Sequence, residues 1–227
     1  MGVTYSCGRF GSIAFCVCGA DSGCFKSTLK FINEDASSVH GAVRASSVFA
    51  CESGEWKLGG FDVLSSMNDE DAIIYVGRPC LCYLSRRNIW LTSEQAYGSL
   101  VPDAARYTPP EIVKGGWDII KRHPLTAVDS YGLGILIFEV FNGGFSGGDQ
   151  IGRTTNIPPS MQQSYKRLCN TNPKIRLSPA HFVEQGKKSG GFFQTPLIRL
   201  TDDIESLGLK NDAEREEFIK YVNPSSI

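Results

Sequence analysis

The sequence predicts a mainly α fold with a trace of strand, and three observations carry that expectation. From Asp129 to Phe141 the chain is apolar nearly all round and stops at Gly143-Gly144. A helix of that composition must be buried on every side. Ser178 followed by Pro179 is a helix start, with the hydroxyl as cap and proline in the first turn. A Glu- and Lys-rich stretch, 212–222, has the character of an exposed helix. Strand signals are confined to two short runs.

In chain order, residues 1–27 are rich in Gly, Cys and Ser and support no element. Residues 28–35 read as the last turns of a helix, with Leu29, Phe31 and Ile32 apolar. Residues 46–51 and 55–58 are two strands around a turn at Ser53-Gly54. Residues 65–71, polar and acidic, are expected to be a loop or short helix. Pro109-Pro110-Glu111 opens a short helix. Asp129 is expected to cap the buried helix. Residues 144–155 are Gly-rich and loop. Helices follow over 158–169 and 178–185, a break at Gly190-Gly191, and two helical stretches over 202–207 and 212–222.

Composition narrows the function classes. The chain has 227 residues, a formal charge of −1 and 41% hydrophobic residues. That suits one ordinary domain with a real core. Near-neutral charge leaves no footprint for nucleic acid or an anionic membrane. The apolar run 132–141 is too short to span a bilayer. The eight cysteines include Cys7, Cys16, Cys18 and Cys24, whose gaps fit no common zinc spacing. Free thiols in a reducing compartment are the expectation. Gly19 to Ser27 has the residues of a P-loop but not its spacing, because Cys24-Phe25 separates Gly23 from Lys26.

Several segments, in order, resemble the landmarks of a protein-kinase C-terminal lobe. Val39-His40-Gly41-Ala42-Val43-Arg44-Ala45-Ser46-Ser47 stands where H-R-D-x-x-x-x-N would be. Trp56 to Asp62, with Gly59-Gly60-Phe61-Asp62, stands where a strand runs into D-F-G. Tyr107-Thr108-Pro109-Pro110-Glu111 resembles the A-P-E element, Asp129-Ser130-Tyr131-Gly132 the head of the buried helix, and Asn172 to Leu177 the late D-P-x-x-R-L element. The wording is closest to the Scy-type, N-terminal kinase-like family. His40-Gly41, Gly59-Gly60-Phe61-Asp62, Ser99-Leu100-Val101-Pro102-Asp103 and Gly191-Phe192-Phe193-Gln194-Thr195-Pro196 all repeat that family's pattern.

The resemblance implies a kinase-like C-lobe over 28–193, without an N-lobe because no strand–G-x-G-x-x-G–strand precedes Thr28. A helical linker over 194–227 would lead toward absent HEAT-type repeats. Removing 76–96 restores an ordinary activation-segment length and joins Ile74-Tyr75 to Tyr97-Gly98, the family's own wording. That piece reads as a retained intron or as a genuine surface insertion.

The resemblance also implies that phosphoryl transfer fails. Transfer needs a carboxylate base and two metal ligands. Ala42 stands at the base position, Ser47 at the metal-binding Asn and Gly60 at the metal-binding Asp. His40, Arg44, Phe61 and Asp62 complete the degenerate set, and Asp62 falls on the glycine position. No cofactor and no metal are expected. Arg176 and Glu111 are implied to form a buried structural ion pair, with Asp129 a third structural residue. The implied function is a non-catalytic scaffold in the cytoplasm, at the Golgi or near the nuclear pore. It would serve coated-vesicle traffic or tRNA nuclear export. Protein partners would bind the lobe, while tRNA or coat proteins would be partners of the full-length family member. The rivals are a residual ATP-binding kinase domain and a truncated product without function.

Overall fold

A single helix organises the core. The computed structural model describes residues 25–50, 56–69, 72, 74, 103–194 and 206–222. Within these, α1 (Phe25–Asn33) is followed by β1 (Ser38–Val39), β2 (Val48–Ala50), β3 (Trp56–Leu58) and β4 (Ser65–Ser66). The helices α2 (Ala104–Tyr107), α3 (Pro110–Gly115), α4 (Ala127–Asn142), α5 (Pro159–Leu168), α6 (Pro179–Lys187) and α7 (Asp212–Val222) complete the order. The expected start up to residue 24, the piece at 76–96, and residues 195–205 and 223–227 lie outside the described residues.

The apolar run makes α4, and every residue from Ala127 to Val140 is buried. Gly143 ends it in the left-handed conformation at φ 79°, the usual glycine stop. Around α4 pack α5 and α6, and α1 lies against α6 and β3. The larger core unites Leu29, Leu133, Leu136, Met161, Leu168 and Phe182. Two glycines of α4 permit close approach. A Cβ on Gly132 would sit 2.8 Å from the carbonyl oxygen of Val43, and one on Gly134 would collide with Cys169 Sγ. A second, smaller core of Val39, Ala42, Val63, Ile74, Ile112, Trp117 and Val128 lies beneath the segment after β1.

The two strands read from the sequence pair antiparallel as β2–β3, with Val48 opposite Leu58 and Phe49 opposite Lys57, while the expected turn at Ser53-Gly54 lies outside the described residues. Residues 65–66, expected in a loop or short helix, instead form β4. It pairs antiparallel with β1, Ser38 opposite Ser66. Ser65 stabilises this corner, donating its hydroxyl to Val63 O and accepting from Ile74 N. The Ser178 cap is present, its side chain accepting from His181 N. Short 3-10 turns at Trp117–Arg122 and Gly148–Gln150 fill connections for which the sequence predicts no element. Among the described residues, no helix is long and apolar enough to cross a membrane.

Candidate functional site

The segment after β1 carries His40, Ala42, Arg44 and Ser47, expected from the sequence at kinase positions, and a carboxylate from α4 holds it in place. Asp129 Oδ2 accepts from His40 N at 2.8 Å and from Asn33 Nδ2 at 2.7 Å, and Oδ1 accepts from Gly41 N at 2.8 Å. The expected cap role is therefore corrected. The helix already begins at Ala127, after Thr126, and Asp129 lies within its first turn. Its oxygens serve backbone donors some ninety residues away in sequence rather than its own helix. Burial pushes the Asp129 carboxyl up, against the pull of the His40 imidazole and the three donors.

His40 is fully buried. Its Nδ1 accepts from Ala42 N at 3.2 Å, and its Nε2 faces Gly59 O at 2.9 Å. Nδ1 as acceptor and Nε2 as donor define one neutral tautomer. Burial also lowers its pKa. The ring meets Phe61 edge-on, with centroids 5.2 Å apart. Phe61 itself is half exposed and Asp62 is exposed, both in a 3-10 turn (Phe61–Val63).

Ala42, Ser47 and Gly60 come together, and they do so by closing on one another. The Ala42 methyl is buried in the smaller core. Ser47 is buried and donates its hydroxyl to Ala42 O at 2.6 Å. Gly60 is left-handed at φ 73°, and a Cβ there would lie 2.9 Å from Ser47 Oγ and 3.2 Å from Ser47 Cβ. The space where a side chain at position 60 would start is thus occupied by Ser47. Beside it, the exposed Phe49 ring covers Gly59, within 2.6 Å of where its Cβ would be. Asp62 is the one carboxylate among the described residues from 40 to 62, and among the described residues no three His, Cys, Asp or Glu side chains converge as a metal site would require.

Arg44 stands beside Tyr107. Its guanidinium lies 5.6 Å from the centre of the Tyr107 ring, and Arg106 lies 5.7 Å from the same centre. Tyr107 donates its hydroxyl to Glu139 Oε1 at 2.7 Å, and Glu139 Oε2 accepts from Ala45 N at 3.1 Å. One buried carboxylate therefore ties the 44–47 segment and α2 to α4. Sequence reasoning missed Glu139, although a lone charge inside the apolar run was a usable signal. It also missed Asn33, whose partner Asp129 is 96 residues away along the chain.

Arg176 and Glu111 face each other as a fork, Nη1 to Oε1 at 2.8 Å and Nη2 to Oε2 at 3.0 Å. Arg176 also donates to Ala127 O at 2.7 Å and twice to Asn170 O, and its guanidinium covers the Tyr131 ring at 5.0 Å. The pair staples α3, the start of α4 and the 170–176 turn.

No protein-family model matches the chain. Among curated proteins it is similar to the probable inactive serine/threonine-protein kinase scy1 of Dictyostelium discoideum, 28% identical over 88% of this chain and 22% of that protein. It is also similar to the protein kinase domain-containing protein ppk3 of Schizosaccharomyces pombe, at 27% identity over 82% of this chain and 25% of the relative. A mouse protein associating with the carboxyl-terminal domain of ezrin is 24% identical over 86% of this chain and 22% of its own length. The chain spans about a quarter of the length of these relatives or less. Among solved structures, the ROP18 kinase domain in complex with AMP-PNP and sucrose overlays with a TM-score of 0.46 at 14% identity, covering 87% of this chain and 43% of that one. With its motifs in kinase order and its similarity to the Dictyostelium protein running over 88% of its length, this mainly helical chain resembles the C-lobe of the Scy-type kinase-like family.

Proposed function

We propose that the chain is a catalytically inactive, kinase-like scaffold that binds protein partners. The observation that carries this reading is the closure of Ser47 onto Gly60, beside the buried Ala42 methyl. Phosphoryl transfer works by positioning and by charge neutralisation through metal-held phosphates. At the three aligned positions this chain offers a methyl group, a hydroxyl already spent on Ala42 O, and no side chain. The Dictyostelium relative is itself named a probable inactive kinase, which supports the same reading.

The test is nucleotide binding and phosphotransfer by the whole chain. With ATP and either Mg²⁺ or Mn²⁺, no metal-dependent rise in melting temperature and no labelled product is expected. A metal-dependent shift accompanied by phosphorylation of the chain or of an added protein substrate would establish the residual-kinase reading instead. The setting we propose is cytoplasmic, at the Golgi with coated vesicles or near the nuclear pore in tRNA export. Coat proteins and tRNA are assigned to a longer Scy-type protein rather than to this lobe. Imaging of a tagged chain against Golgi and nuclear-pore markers distinguishes the two settings, and a diffuse signal would overturn both.

A further inference from the structure

His40 joins the two stretches of chain that meet at the Ser47–Gly60 closure. On its own stretch, Nδ1 accepts from Ala42 N at 3.2 Å; across the gap, Nε2 lies 2.9 Å from Gly59 O. Gly59 N donates in turn to Ser47 O at 2.8 Å, and Ala42 O accepts the Ser47 hydroxyl at 2.6 Å. Both residues bonded to the ring therefore also hold Ser47.

This arrangement suits one protonation state. In an imidazolium both ring nitrogens are donors, so Nδ1–H would face Ala42 N–H where a hydrogen bond now stands. Two adjustments are open, and each undoes part of the closure. If the ring turns, Nε2 leaves Gly59 O, because both nitrogens sit on one rigid plane. If Ala42 shifts instead, its carbonyl moves off the Ser47 hydroxyl. The ring is fully buried, so bulk water cannot replace either bond while the segments stay closed.

Groups that attract a proton are also in place. Asp129 of α4 and Asp62 of the 61–63 turn both favour the charged form of the ring. From α1 comes the uncharged Asn33, bonded to Asp129. Burial outweighs the two carboxylates and keeps the imidazole neutral to below its ordinary value of 6.5. Phe61 meets the ring edge-on and is itself 46% exposed, so one half-exposed side chain separates the ring from solvent on that side.

We propose that His40 is an acid-sensitive latch: uptake of one proton at Nδ1 releases the 40–47 segment from the 59–61 segment and opens the Ser47–Gly60 closure. The inference rests on the closure that carries the inactive reading and adds a condition under which it loosens.

The test is hydrogen exchange of the whole chain, read residue by residue by NMR. It runs from about pH 7.5 to about pH 5, the range over which histidine changes charge. Rates are expressed as protection factors, so that the pH dependence of free amides cancels. Protection of the Ala42 and Gly59 amides should fall by up to about tenfold per pH unit below 6.5, the slope of an opening linked to one proton. Ring nitrogen shifts should show the Nε2–H tautomer giving way to the imidazolium. Low urea distinguishes local release from global unfolding: Ala42 and Gly59 should hardly respond, whereas Ile135 to Phe138 of α4 should. Asp62→Asn, an exposed change, removes one attracting charge and should move the fall to lower pH. The sign separates His40 from the buried carboxylates Asp129 and Glu139, whose raised values favour the fold as pH drops. Constant protection at Ala42 and Gly59, a urea response there equal to that of α4, or a fall unmoved by Asp62→Asn would overturn the latch. None of these failures touches the scaffold reading, which fails on phosphotransfer.

Discussion

The Arg176 side chain has no exposure to solvent, and Glu111 has little. Removing one partner from such a pair strands the other charge in the core. Arg176→Ala or Glu111→Ala should therefore cost about 3–5 kcal/mol, read from urea unfolding. Arg176→Lys should recover only part of that, since an ammonium cannot reproduce the planar fork that reaches Glu111, Ala127 and Asn170 together. At Glu139 the expectation concerns pH. Burial holds its carboxyl above the ordinary value, opposed by the bonds from Tyr107 and Ala45 and by Arg106 and Arg44. A raised carboxyl pKa favours the fold while protonated, and that contribution fades as pH rises through the folded value. Glu139→Gln cannot ionise. Its stability should therefore improve relative to the parent chain as pH climbs from near 4.5, the ordinary glutamate value, through the raised one. A difference that stays flat with pH would show that Glu139 does not titrate there. At Gly60, Gly60→Asp adds a Cβ against Ser47 at a left-handed φ and should cost about 1–3 kcal/mol. Pairing it with Ser47→Gly should return part of the loss.

At the scale of elements, the neighbours of α4 leave little room at its glycines. Gly132→Ala presses a methyl onto the Val43 carbonyl and should lower stability by about 1–3 kcal/mol despite alanine's better helix propensity. An increase in the denaturant midpoint would mean that the 40–45 segment yields freely. The helix itself was legible in the sequence because ten of the thirteen positions 129–141 are apolar or glycine, and no other element can bury that. The β2–β3 pair was legible from its strand residues. The β1–β4 pair was not, because strands of two residues, three of the four being serine, carry no periodicity. Nor were α2 and the 3-10 turn at Trp117–Arg122, which are too short to repeat a pattern. Asp129 looked like a cap because a sequence displays local neighbours only, whereas its donors come from Asn33, His40 and Gly41. The His40 tautomer was illegible for the same reason: Gly59 supplies half of it from another strand connection.

For the molecule as a whole, protection should be graded outward from α4. Its amides from Ile135 to Phe138 are buried on all sides, so their hydrogen exchange should require global unfolding. The amides of α7, whose described side chains are mostly exposed, should exchange fastest among the helices. Equal rates in both would contradict a core centred on α4. The order of the motifs made the kinase-like architecture readable, yet it could not reveal how Ser47 and Gly60 meet. That meeting works as a ratchet. A mutation supplying a carboxylate at position 60 arrives in a space already taken, while a smaller residue at 47 alone opens a gap and loses the bond to Ala42 O. Each single step is downhill in stability, so a carboxylate reaches position 60 either through a destabilised single variant or with both changes at once.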